Sequence, residues 1–262
     1  MISSMKQILF DKQEKKDKWI KTVTSNCISK KQNEKYAAAK SGFALYYITV
    51  DSFKVPYLVY IPKTYNAAKP TQAIIYLHGG VVNAPNFAVD EIITGEPVFS
   101  AGETFNSIII YPFGKRDFGW MYQKKAFENV LAIIKNTQQV YNIDDKRIFL
   151  GGMSNGGTAT FWFASQKPNI FKGFYAFSMN PKLEIGEIDF KNISQGKPFY
   201  SLNAKDDGTF NYVDVQKVYL SQKDIAKDWH FETIETGDHA FIFDGEAGKK
   251  AINDLLRKVL AK

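Results

Sequence analysis

Cysteine is almost missing from this chain. Cys27 is the only one in 262 residues, so no disulfide can form within it, and the small disulfide-scaffold class is excluded. Arginine is scarce as well: Arg116, Arg147 and Arg257 are the only three. Arginine is the side chain that grips phosphates and guanine edges with a planar fork, so its scarcity argues against nucleic acid as a partner. No apolar run approaches the roughly 18 residues of a membrane-crossing helix, so no membrane span is expected. The first ten residues hold nothing longer than Ile8-Leu9-Phe10, short of the about 7–15 apolar residues of a secretory leader. The compartment stays open between the cytoplasm and export with a leader absent from this chain. H-E-x-x-H, paired C-x-x-C, the P-loop and a G-x-G-x-x-G opening a βαβ unit are all lacking. No metal and no cofactor are expected.

What is present is ordinary globular material: 45% hydrophobic, 15% aromatic and 23% charged residues, with a net charge of +7. The charge is uneven. Residues 1–40 carry ten lysines and four acids, whereas the rest carries 24 basic and 23 acidic groups. Residues 1–40 therefore read as a basic arm and 41–262 as one domain. The arm is expected to be helical from Lys6 to Val23, with Ile8, Trp19, Ile20 and Val23 on one face. Asp11–Lys18 contains nothing apolar and reads as a solvated surface.

Phe43–Val50 and Val55–Ile61 read as two strands joined by a turn at 51–54. Short apolar runs follow at Ala73–Leu77, Ser107–Tyr111, Arg147–Leu150, Phe174–Phe177, Pro198–Leu202 and His230–Ile234. Between them lie helical periods: Phe127, Val130, Leu131 and Ile134, then Ile252, Leu255, Leu256, Val259 and Leu260. Strands alternating with helices predict an α/β fold, a mostly parallel sheet covered on both faces with an N-terminal antiparallel hairpin. Asp144-Asp145 reads as the turn leading into the strand at Arg147.

The chemistry is concentrated in Arg147–Thr160, R-I-F-L-G-G-M-S-N-G-G-T-A-T. A strand runs into Gly152-Met153-Ser154-Asn155-Gly156, and a helix of small residues follows. That is G-x-S-x-G in a strand–turn–helix setting. A serine on so sharp a turn is held above the sheet at a helix N-terminus, where the dipole favours a developing negative charge. Glycines two before and two after are needed because side chains there would collide with neighbouring backbone. Ala73–Gly80, A-I-I-Y-L-H-G-G, is a strand ending in His-Gly-Gly. The N–H groups of Asn155 and Gly80 are the expected oxyanion donors.

Three histidines exist: His78, His230 and His239. His78 belongs to the glycine loop and reads as structural; His230 falls within a strand. His239, in T-G-D-H-A-F past the last strand, stands where a general base must stand. The acid of such a system falls between serine and histidine, and the strand P-F-Y-S-L-N-A-K-D-D ends in Asp206 and Asp207. Successive strand residues face opposite ways, so one of the two faces His239, and the other turns to solvent or caps the next helix. Trp120 and Phe118, after the strand ending at Tyr111, either line a substrate pocket or pack.

Over roughly residues 55–261 the chain resembles the α/β-hydrolase superfamily, and within it the small bacterial esterases grouped with polyhydroxybutyrate depolymerases and feruloyl or acetylxylan esterases. The likeness rests on Y-L-H-G-G, on Y-P-F-G ending at Gly114 with Gly119-Trp120 after it, on Y-N-I-D-D-K-R-I-F-L-G-G-M-S-N-G-G, and on G-D-H-A-F. It departs in having no disulfide and in carrying Asn211 where relatives often have proline. The resemblance implies Asp207 as the acid, because Ala204 fits a position that is commonly glycine three residues before it. It also implies a serine carboxylesterase with a Ser154–His239–Asp207 triad, a covalent acyl-enzyme, and short-chain, aryl or sugar esters as substrates. A serine peptidase on the same fold and a catalytically silent binding protein are the alternatives.

Overall fold

The structure, a computed structural model, describes residues 2–28, 35–36, 38–183, 186–193 and 196–261, with the side chains of residues 2–10 outside that description. Eight strands form one sheet: β1 (Gly42–Val50), β2 (Phe53–Ile61), β3 (Thr71–Leu77), β4 (Ser107–Pro112), β5 (Ile143–Met153), β6 (Gly173–Phe177), β7 (Phe199–Ala204) and β8 (Trp229–Ile234). Their spatial order is β1-β2-β4-β3-β5-β6-β7-β8. β1 pairs with β2 and β2 with β4 antiparallel; every other pairing is parallel. The hairpin closes through Asp51 and Ser52, both at positive φ, the geometry of a two-residue turn whose twist matches the flanking strands.

The helices are α1 (Ile2–Ser25), α2 (Ser100–Thr104), α3 (Lys124–Val140), α4 (Asn155–Gln166), α5 (Phe190–Ile193), α6 (Tyr212–Gln222) and α7 (Gly245–Leu260). Because side chains alternate along a strand, each central strand feeds two cores. Ala73, Ile75, Leu77, Ile108 and Ile110 join Phe127 and Val130 of α3 and Phe161 of α4 on one face. Ile74, Tyr76, Ile109 and Tyr111 join Val98, Phe99, and Ile252 and Leu256 of α7 on the other. Strands buried on both faces explain why these runs are continuously apolar rather than alternating.

One sequence expectation is corrected here. Asp144 and Asp145 do not form a turn before the strand, since β5 already begins at Ile143. The register against β3 shifts between Thr71↔Ile143 and Ala73↔Ile148. The extra residues form a bulge, in which Asp144 accepts the Lys146 N–H at 3.0 Å and pairs with Arg147 at 2.7 Å. The N-terminal helix is anchored at its C-terminal end. Val23 is buried and Trp19 and Ile20 pack on the second core, whereas Asp11–Lys15 is exposed as expected. The Ile8 side chain lies outside the described residues. Among the described residues no helix is long and apolar enough to cross a membrane.

Candidate active site

The carboxyl ends of β3, β5, β7 and β8 meet at one edge of the sheet, which is where open α/β sheets hold their ligands. Ser154 follows β5 directly and caps α4 with φ 54° and ψ −120°. A non-glycine residue there is strained. The strain is held by neighbours: the Ser154 N–H donates to Phe177 O at 2.9 Å and its carbonyl accepts from Thr158 N at 2.9 Å. The flanking glycines are required by contact. A Cβ on Gly152 would sit 2.2 Å, and one on Gly156 1.8 Å, from the Leu77 carbonyl oxygen.

His239 lies past β8 and reaches Ser154 Oγ with Nε2 at 2.9 Å. Its Nδ1 lies 2.9 Å from Asp207 Oδ2 and 3.1 Å from Oδ1. A carboxylate can only accept, so Nδ1 carries the proton and Nε2 is left to accept from the serine hydroxyl. The Asp207 side chain is fully buried. Its Oδ1 also accepts the N–H groups of Thr209 and Phe210, both at 2.8 Å, which fixes the carboxylate's orientation toward His239. The Phe210 ring stands edge-on to the imidazole at 5.2 Å.

Opposite Ser154 runs the His78-Gly79-Gly80 loop after β3. A Cβ on Gly79 would lie 2.9 Å from Ser154 Cβ, so this glycine permits the approach. His78 is buried and bonds the loop at both ring nitrogens: Nε2 accepts from Gly114 N at 2.9 Å and Nδ1 donates to Gly79 O at 2.7 Å. Burial pushes its pKa from 6.5 down to about 4, so it is neutral. Drawing the Gly79 carbonyl toward His78 turns the Gly80 N–H, on the opposite side of that trans peptide, away from it. Gly80 takes φ 70°. The N–H groups of Gly80 and Asn155 have no acceptor among the described residues.

The remaining candidates fall as follows. His230 is exposed on β8 and stacks on Tyr200 at 4.5 Å. Trp120, a candidate for substrate contact, is instead a packed residue, 1% exposed. It stands edge-on to His78 at 5.0 Å, and a Cβ on Gly114 would come within 2.9 Å of its ring. Asp206 is exposed, as expected of the acid that turns to solvent, and it does not cap α6, whose cap is Asn211 accepting from Asp214 N. It binds the backbone of the His239 loop. Sequence reasoning also missed Ser178, which sits at φ 43° and donates from Oγ to His239 O at 2.6 Å.

Solved structures of other proteins superpose on this fold. The solved structure of Est1E from Butyrivibrio proteoclasticus superposes with a TM-score of 0.59 at 16% identity, over 83% of this chain and 99% of that one. Acylaminoacyl peptidase of Pyrococcus horikoshii gives 0.63 at 16% identity, over 85% of this chain and 42% of that one. This chain has the α/β-hydrolase fold. A family model described as the prolyl oligopeptidase family matches residues 114–180 of this chain, the stretch that contains Ser154. A curated relative, the bifunctional acetylxylan esterase/xylanase XynS20E of Neocallimastix patriciarum, is 27% identical over 168 residues, 63% of this chain. The chain spans 23% of that relative's length.

Proposed function

We propose that this α/β-hydrolase is a serine hydrolase of carboxylic esters, working without a cofactor through Ser154, His239 and Asp207. The carrying observation is the unbroken relay from buried Asp207 through His239 to a strained serine at a helix N-terminus, each link 2.9 Å long. In this mechanism His239 Nε2 takes the Ser154 proton as Oγ attacks the ester carbonyl. Asp207 keeps the proton on Nδ1 and stabilises the imidazolium. The Gly80 and Asn155 N–H groups receive the oxyanion. The alcohol leaves with the proton from His239, and water then cleaves the acyl-enzyme by the same route.

Short acyl, aryl or sugar esters are the proposed substrates. Supporting this are the acetylxylan esterase activity named for the curated relative and the ferulic acid bound in a solved Est1E structure. A peptidase reading has its own support in the prolyl oligopeptidase family match and the acylaminoacyl peptidase neighbour. Matched ester and amide substrates, run beside fluorophosphonate labelling, test both. Labelling at Ser154 with ester turnover far above amide turnover is the expected result. Amide turnover equal to ester turnover would favour the peptidase, and an unlabelled folded protein would end the serine-hydrolase reading.

A further inference from the structure

Each acid–base member of the relay has an acidic neighbour in sequence: Asp206 beside Asp207, and Asp238 beside His239. Neither neighbour touches Ser154, and both are exposed, so both would pass as solvated charges. Their bonds say otherwise. The Asp206 carboxylate reaches across to the histidine loop, where Oδ2 accepts from Gly237 N at 3.2 Å and Oδ1 from Asp238 N at 2.9 Å. The Asp238 carboxylate reaches back: its Oδ1 accepts from Gly208 N, in the acid loop, at 3.1 Å, and from His239 N at 2.6 Å. Each loop thus grips the other's backbone.

We infer that Asp206 and Asp238 are positioning residues, forming a reciprocal clamp that holds the loop carrying His239 in register with the loop carrying Asp207. This inference rests on the proposed roles of Asp207 and His239. The clamp continues the sheet beyond its end. The last β7–β8 pair is Ala204↔Ile234, and Lys205 N still donates to Ile234 O at 3.0 Å. Past that point no strand pairing remains, and the histidine loop turns through two positive-φ residues, Gly237 at φ 134° and the strained Asp238 at φ 55°. Three of the four bonds to the two carboxylates cross between the loops and replace the missing ladder, and the fourth, from His239 N, braces the histidine loop itself. They are charge-assisted, about twice the strength of neutral ones. The backbone N–H groups of Gly208 and His239 hold the Asp238 carboxyl below its ordinary range. From the third side, Ser178 Oγ fixes the His239 carbonyl.

The two acids differ in how many oxygens they use, and this makes the test specific. Asp238 makes both bonds through Oδ1 alone, so Asp238→Asn retains both acceptors, and asparagine tolerates positive φ well. Asp206 uses both oxygens, so Asp206→Asn sets an NH₂ against the Gly237 N–H and keeps only one bond. Steady-state kinetics on a p-nitrophenyl acyl ester, with Ser154→Ala as control, separate the outcomes. Asp206→Ala and Asp238→Ala should lower kcat by about 10- to 100-fold with KM changed little, because displacement of a reacting group by about 1 Å costs on this order. Asp238→Asn should recover most of kcat, and Asp206→Asn should fall between. The double alanine variant should lose little more than either single one, since both open the same junction. Folded alanine variants with wild-type kcat, or an Asp238→Asn as impaired as Asp238→Ala, would overturn the clamp. Should an alanine variant not fold, the ranking of Asp238→Asn above Asp206→Asn decides instead, and equal activity in the two refutes the inference. Failure of Ser154→Ala to abolish turnover would instead refute the relay itself.

Discussion

Replacing Glu96 by glutamine should stabilise the protein, and by an amount that grows with pH. Glu96 stands before the turn at Pro97–Phe99, and its carboxyl is pressed into the second core beside Tyr76 and Tyr111. Tyr111 donates to Oε1 at 3.3 Å, and Oε2 is buried with no partner. Burial pushes the pKa from 4.5 up to about 7, against the opposing pull of the tyrosine hydroxyls. Between those values the folded protein keeps a proton that the unfolded chain has released. Folding stability therefore falls as pH rises from about 4.5 to about 7. At about 1.4 kcal/mol per pH unit the full loss is about 3 kcal/mol. His78 works in the opposite sense. Its pKa is about 4 when folded and 6.5 when free, so the unfolded chain gains a proton the folded one refuses, and stability rises with pH over nearly the same range. The two slopes nearly cancel in the wild type between about 4.5 and 6.5. Glu96→Gln removes one and exposes the other. Urea unfolding at pH 4.5, 5.5, 6.5 and 7.5 should show a variant equal to wild type at the acid end and more stable by about 2–3 kcal/mol at pH 7.5, with m unchanged. A gain independent of pH, or none at pH 7.5, would show that Glu96 is not held neutral by burial.

Ser154→Ala should fold normally and lose about 10⁴-fold or more of kcat in an ester hydrolysis assay. Asp207→Asn should lose activity on a similar scale, about 10⁴-fold, because the amide favours the wrong imidazole tautomer; fluorophosphonate labelling rates read both effects. His230→Ala should leave kcat/KM within about twofold, since an exposed residue stacked on Tyr200 lies outside the relay. Gly156→Ala should yield misfolded or inactive protein, because a Cβ there would stand 1.8 Å from the Leu77 carbonyl oxygen; circular dichroism and expression yield distinguish it from Ser154→Ala.

The parts of this molecule that were legible beforehand share one property: a local pattern demands a residue type. The continuous apolar runs became β3, β4 and β6 because both faces of those strands are covered. The glycines around Ser154 announced themselves because no side chain fits between β5 and the Leu77 carbonyl. His239 stood out because only three histidines exist and the other two sit in a buried loop and a strand. What escaped depends on partners far away in the chain. Asp206 was expected to turn to solvent or cap the next helix because its neighbour Asp207 faces His239. Its actual partners are N–H groups 31 and 32 residues away, brought within reach only by the Ala204↔Ile234 register of two adjacent strands. A backbone N–H has no residue type, so no motif at position 237 or 238 could have advertised the bond. Glu96 escaped for a related reason. Its Oε2 is buried because the residues that follow it, Val98, Phe99 and Ala101, pack on the second face. Trp120 was open between pocket and core, and the structure buries it edge-on against His78. Residues that perform chemistry must be of one kind and so leave a mark in sequence. Residues that hold them in place bind main chain, and their identity becomes readable only once the register of β7 against β8 is known.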